Sequence, residues 1–290
     1  MSKKAQKHGK ILNISVTSTS VDQVLRFVRA SLHRKTRFSI VTPNPEIILQ
    51  AQKDKKLASI LNSADISLPD GVGLVMASKF LSLPTAENDF IKPFYYIFQG
   101  LMVGVSALVN KKWLSQDLKQ IRGREMFMEL IKLANKKSWR VFFLGGENDE
   151  AQDVKKFLLR SYKKIKIETH KGPILSNSIL PVSASDEVVQ ERAIKEINSY
   201  KPQLLFIAFG APRQEKWMNK WVNKLNVGGA MVVGGTFNYI SGRNKLPPKG
   251  LSDMGLEWLW RLATEPRRMV RIFRALIVFP LVVYISKLRK

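Results

Sequence analysis

Along the chain, short runs dominated by β-branched and aromatic residues alternate with longer stretches in which apolar positions recur at helical spacing. The short runs predict strands near 11–16 ("ILNISV"), 38–42 ("FSIVT"), 65–68 ("DISL"), 139–144 ("WRVFFL"), 165–169, 203–209 ("QLLFIAF") and 230–233 ("AMVV"). The longer stretches predict helices over 46–62, 72–82, 124–137, 148–161, 186–199 and 213–225. Strands apolar on both faces and separated by helices imply an α/β, Rossmann-like fold, a mostly parallel sheet covered by helices on both faces. The expected organisation is one α/β domain over 1–255, carrying an apolar insertion at about 84–118, followed by a helical appendage over 256–290. The proline-bearing stretch 172–185 reads as a loop within that domain.

In such sheets ligands gather where the carboxyl ends of the strands open into loops. Five of those ends carry polar, glycine-bearing punctuation: "TPNPE" after 38–41, "PDGVG" after 65–68, "GGEND" after 139–144, "GAPRQEKW" after 203–209 and "GGTFNYISG" after 230–233. Glycine lets backbone N–H groups approach an anion closely, and helix N-termini favour negative charge. Taken singly each loop reads as an ordinary turn or cap; together they outline a polar, phosphate-accepting pocket.

Composition narrows the chemistry. The 290 residues carry 48 Lys and Arg against 23 Asp and Glu, a formal charge of +25, so the surface favours anionic partners. With no cysteine, disulfides, thiolate nucleophiles and Cys-ligated zinc are excluded, and the histidines His8, His33 and His170 form no metal-binding motif. The basic "MSKKAQKHGK" start runs into "ILNISV" without the apolar core of a signal peptide, so a cytoplasmic location is expected.

The segments "TPNPEIILQA", "ADISLPDGVGLVMAS", "VFFLGG", "FGAPRQEKW", "VGGTFNYISG" and "GLEWLWRLATEPRR" occur in that order between about 11 and 274. Their sequence resembles the successive motifs of the WecG/TagA/CpsF glycosyltransferases, glycosyltransferase family 26. The resemblance implies an inverting hexosyltransferase, N-acetylmannosaminyltransferase-like. It would move N-acetylmannosamine or a related sugar from a UDP-sugar to a polyprenyl-diphosphate-linked saccharide in cell-surface polysaccharide synthesis. It implies no cofactor and leaves homo-oligomerisation open.

The resemblance places the base that accepts the acceptor's hydroxyl proton at Asp70, with Thr42 as a substrate-positioning hydroxyl; the alternatives are a turn carboxylate and a helix N-cap. Asn44, Gly71 and Gln214 are expected at the substrates, with Arg213 either a phosphate contact there or a surface residue, and Gly145, Gly146, Gly234 and Gly235 offer backbone to the UDP moiety. No D-x-D metal motif occurs, so the leaving diphosphate is assigned to arginines, whose fork pairs phosphate oxygens without a metal. Arg261, Arg268 and Arg271 match arginines of the family's C-terminal appendage. The sequence departs from the family at "QIRGREMF", where Gln120 stands in place of an arginine, Gly123 is kept and Glu125 replaces aspartate; Arg122 or Arg124 would restore the lost charge.

Two segments point to an anionic membrane surface. At about 100° per residue, Arg267, Arg268, Arg271 and Arg274 share one arc of a helix, opposite Met269, Val270, Ile272, Phe273, Leu276 and Ile277. The apolar run 275–286 is short and proline-broken, suited to interfacial insertion rather than a span. The uncharged stretch 93–110, flanked by Lys92, Lys111 and Lys112, suggests a shallow or re-entrant element. The expected placement is peripheral, on the cytoplasmic side of the cell membrane. A basic membrane- or nucleic-acid-binding protein without transferase activity competes on charge alone, but no zinc-finger, RRM or KH pattern accompanies the charge. A dehydrogenase lacks its G-x-G-x-x-G, because "PDGVG" stops after its second glycine.

Overall fold

A computed structural model of the chain describes residues 7–146, 148–265 and 268–289. It opens with a hairpin, β1 (Lys7–Ile11) and β2 (Ile14–Ser18), in place of the single strand expected over 11–16. Leu12 and Asn13 both take positive φ (49° and 66°), the two-residue turn whose twist matches a hairpin, and the alternation on either side concealed it. Helix α1 (Val21–His33) follows, started by a capping box in which Ser20 and Gln23 satisfy each other's backbone N–H.

Then come β3 (Phe38–Val41), α2 (Pro45–Lys53), α3 (Lys55–Ser63), β4 (Ile66–Ser67) and α4 (Val72–Ser82). The single helix expected over 46–62 is two, because Asp54 is extended and its carboxylate caps α3 at Leu57 N. The apolar insertion forms α5 (Lys92–Val109) and the short α6 (Lys111–Leu114). The remainder of the sheet domain alternates α7 (Gly123–Lys136), β5 (Arg140–Gly145), α8 (Glu150–Ser161), β6 (Lys166–His170), α9 (Ala184–Tyr200), β7 (Leu204–Ala208), α10 (Arg213–Trp221) and β8 (Gly229–Val232).

Six strands form one sheet in the order β4-β3-β8-β7-β5-β6, with every pairing parallel. Period-two alternation divides its side chains between two cores. Phe142, Leu144, Leu205 and Ile207 face the side of α2, α3, α4, α9 and α10. Val141, Phe143, Leu204 and Phe206 face α1, α7 and α8, where Phe127 stacks edge-on against Phe206 at 4.8 Å. The expected α/β fold, covered on both faces, is what the chain forms.

The C-terminal part comprises α11 (Thr236–Ile240), α12 (Lys249–Asp253), α13 (Glu257–Thr264), α14 (Met269–Phe273), a π-helical turn (Arg274–Val278) and α15 (Phe279–Leu288). Phe279 N–H bonds back five residues to Arg274, and this widened turn carries the helix into Pro280 without a break. Met269–Leu288 is therefore one 20-residue helix, long and apolar enough to cross a membrane by length and composition. That corrects the reading of 275–286 as a short, broken piece. Arg267, assigned to its basic arc, lies outside the described residues.

Helix α15 packs on α4 and α5. Phe279 and Val283 are buried there, and Lys287 Nζ donates to Phe80 O (2.6 Å), Leu83 O (3.0 Å) and Gln99 Oε1 (2.7 Å). Three acceptors around a buried ammonium replace the hydration it gives up.

Candidate active site

Two strand ends and the segment leading into α7 build the centre of the site. Past β4 the chain passes through Leu68 and Pro69 to Asp70, whose N–H donates to Pro43 O at 2.9 Å and so fastens the "PDGVG" loop to the "TPNPE" loop after β3. Gly71 then turns at φ 104°, a conformation that disfavours any side chain, and starts α4. Gly73 lies so close to Pro45 that a Cβ would sit 2.9 Å from its ring. On the other side, Ile121 N–H donates to Pro69 O and Gly123 starts α7; a Cβ on Gly123 would lie 3.5 Å from Thr42 Oγ1 and 3.6 Å from Asp70 Oδ2. Thr42 and Asp70 thus converge over one glycine.

Asp70 is half-buried, and burial pushes its carboxyl up to about 6. Arg261 pulls the value back, Glu257 pushes it further up, and Arg124 and a hydrogen bond from Gly123 N–H favour the charged form. Glu257 organises these arginines: its Oε1 lies 2.7 Å from Arg122 Nε and 2.8 Å from Arg124 Nη2, and Arg261 Nη2 is 3.9 Å from its Oε2. Burial opposes the charge on Glu257, but the Arg124 hydrogen bond with the Arg124, Arg122 and Arg261 charges outweighs it and holds the carboxyl below its ordinary value. Arg261 and Arg124 also lie over the Tyr239 ring, at 5.4 and 5.9 Å from its centroid. The two arginines of "QIRGREMF" therefore stand at this site, beside Gln120.

Around Asp70 opens a cavity of about 850 Å³, within the range of ligand pockets. Its polar end carries Asn44, Asp70, Gly71, Arg261, Arg268 and Arg271. Asn44 caps α2 by accepting from Ile47 N at 2.9 Å, which removes that role from Thr42. Arg268 pairs with Glu265 at 2.6 Å and Arg271 with Glu46 at 2.7 Å, so both guanidiniums are held at the rim. From there the cavity runs between α5 and the Met269–Leu288 helix, past Tyr96, Val103, Ala107, Ile272, Leu276 and Phe279.

The other expected site residues cluster at the ends of β5, β7 and β8. Gln214 is buried; its Oε1 accepts from Gly234 N (3.0 Å) and its Nε2 donates to Glu215 Oε1 (2.9 Å), so the amide shapes the Gly234–Gly235 turn. A Cβ on Gly235 would stand 3.6 Å from Arg268 Nη2, which joins this cluster to the cavity rim. Gly145 is fixed by a close approach to the Ala208 carbonyl, where a Cβ would come to 2.9 Å, and Gly146 N–H donates to Ala208 O. Arg213 turns away, donating to Leu175 O at 3.1 Å and pinning the 172–185 loop. Among the described residues no group of three or more His, Asp or Glu is placed to hold a metal ion.

Sequence reasoning did not single out Glu257, Glu46 or Tyr239. Glu257 stands inside the quoted "GLEWLWRL", but only the fold brings three arginines to it from α7, the segment before α7, and α13.

Residues 9–91 and 101–290 match the model of the glycosyl transferase WecG/TagA/CpsF family, leaving 92–100, in the first half of α5, between the two matched stretches. The unmatched piece is shorter than the insertion expected over 84–118. The chain is 28% identical over 265 residues to an N-acetylglucosaminyldiphosphoundecaprenol N-acetyl-beta-D-mannosaminyltransferase of Bacillus subtilis (strain 168), covering 90% of this chain and 86% of that protein. It is 24% identical over 264 residues to the enzyme of the same name from Staphylococcus aureus (strain NCTC 8325 / PS 47), covering 90% and 87%. With the motifs distributed over the strand ends as described and the family match extending over nearly the whole length, the chain belongs to the WecG/TagA/CpsF family and is a glycosyltransferase.

Proposed function

We propose that this enzyme transfers N-acetylmannosamine, or a closely related sugar, from a UDP-sugar to a GlcNAc-diphosphate-polyprenol, inverting the anomeric centre. One observation carries this reading: a single cavity joins a carboxylate-and-arginine end to an apolar channel. An acceptor with a sugar-diphosphate head and a polyprenyl tail has the same division of polarity, and the relatives' names specify such an acceptor.

In this mechanism Asp70 accepts the proton of the attacking acceptor hydroxyl while its oxygen forms the new bond to the sugar's anomeric carbon. The bond from that carbon to the UDP oxygen breaks on the opposite face. The electron pair leaves with the diphosphate, whose charge is met by Arg261, Arg268 and Arg271. Thr42 orients the reacting sugar, and Gln214 holds the Gly234–Gly235 turn against the donor's diphosphate. The enzyme works at the cytoplasmic face of the membrane, where the Met269–Leu288 helix and α5 present Phe94, Phe98, Phe273 and Ile277, each more than half exposed, to the lipid.

The test is a screen of UDP-sugars with GlcNAc-diphosphate acceptors, reading UDP release and product mass, with and without EDTA. Transfer of N-acetylmannosamine in EDTA with inverted configuration is the expected result. Transfer only from other sugars, or only with added metal, contradicts the donor or the arginine assignment respectively. Absence of any transfer, with retained binding to RNA, would favour a binding protein.

A further inference from the structure

The channel beyond Asp70 is bounded on one side by α5, and α5 has two different apolar faces. Outward lie Phe94, Phe98, Leu101 and Val105, exposed by 58–71%. Along the cavity lie buried Val103 and Ala107, half-buried Gly104 and, where the cavity opens, exposed Gly100. Glycine inside a helix is unfavourable relative to alanine, so each of these two glycines needs a reason.

Neither is explained by the backbone or by a tight contact. Both have ordinary helical φ, a Cβ on Gly104 would meet nothing within 4 Å, and one on Gly100 would first reach Phe80 Cε2 at 4.0 Å. Alanine would fit at both positions with a gain in helix propensity. What the glycines preserve is open volume in the wall of the cavity that Ile272, Ala275 and Leu276 also line.

Resting on the acceptor assignment above, we infer that Gly100 and Gly104 set the bore through which the acceptor's isoprenoid chain passes and so determine which lipid carriers this enzyme accepts. A polyprenyl chain is thicker than a straight alkyl chain because a methyl branch recurs along it, and a widened bore at α5 suits that cross-section. The exposed outer face of the same helix lies against the bilayer, so the chain passes from the membrane into the channel beside α5.

The experiment compares Gly104→Leu and Gly104→Ala with the parent enzyme on two acceptors of identical head group, one carrying a long polyprenyl chain and one a single isoprenoid unit. Gly104→Leu is expected to lower the ratio of kcat/KM, long over short, by about tenfold or more, mainly through KM on the long acceptor, with Gly104→Ala between it and the parent. Neither variant should lower Tm, and Gly104→Ala should raise it. An unchanged ratio, or an equal loss on both acceptors, overturns the inference. Binding of a fluorescent polyprenyl diphosphate requires no transfer and separates the two readings. Tight binding by the parent that Gly104→Leu weakens sustains the channel even if the sugar chemistry proves different; equal binding by parent and variant overturns it.

Discussion

Arg271 donates Nε–H to Glu46 Oε2 at 2.7 Å, joining the C-terminal helix to the first turn of α2 across 225 positions of sequence. Glu46 is largely buried at a helix N-terminus, where negative charge is favoured, and it fixes the guanidinium beside Asn44 at the rim of the cavity. On the proposed mechanism, a diphosphate arriving there would meet an arginine already in position.

Replacing that guanidinium should therefore damage the chemical step more than the fold. Arg271→Ala or Arg268→Ala is expected to lower kcat on a short, water-soluble acceptor by roughly 10²–10³-fold, the scale on which a single charge-stabilising donor acts. UDP release at saturating substrates measures it, and a change confined to liposome binding would remove both residues from the leaving-group role.

On the proposed mechanism, the pH dependence of the reaction follows from Asp70. Its carboxyl, raised to about 6, must be ionised to accept a proton, so kcat/KM should rise as pH increases through about 6 and then level. A profile flat from pH 5 to 8 would contradict the assignment.

Glu215 gives a second pH effect, on stability alone. Burial pushes its carboxyl up to about 7 from 4.5, with the Gln214 hydrogen bond pulling the other way. In the unfolded chain the group ionises at the lower value. Its contribution is therefore complete below about 4.5 and is lost as pH rises to about 7, a change on the order of 3 kcal/mol. Glu215→Gln should flatten that part of the stability-versus-pH curve in denaturant melts; an unaltered slope would show that another group is responsible.

The appendage expected over 256–290 contributes to the core as well as to the site. Phe279 is 1% exposed against α4 and α5, so Phe279→Ala should cost about 3–5 kcal/mol of unfolding free energy. A loss under 1 kcal/mol would mean that α15 is only loosely attached.

The strand-end loops were legible because each is local: "TPNPE" and "PDGVG" carry their own turn chemistry, and strand periodicity places them on one edge of the sheet. Contacts made by the fold were not. Nothing in "GLEWLWRL" announces that Glu257 will gather Arg122, Arg124 and Arg261, and nothing in "GAPRQE" separates Arg213, turned to the Leu175 carbonyl, from Gln214, buried at Gly234. The uniform apolarity of 93–110 likewise hid the division of α5 into a cavity face and an exposed face, since periodicity needs polar positions to register. Pro280 suggested a break because a π turn leaves no sequence signature.

The most direct test is the turnover of Asp70→Asn on a soluble GlcNAc-diphosphate acceptor at pH 8, followed by product mass. Asparagine keeps the size of the side chain but cannot take up the proton, so kcat should fall by about 10²-fold or more while Tm stays level or rises as the half-buried charge is removed. A variant that turns over at near the parent rate would make Asp70 a turn residue and leave the reaction without its base.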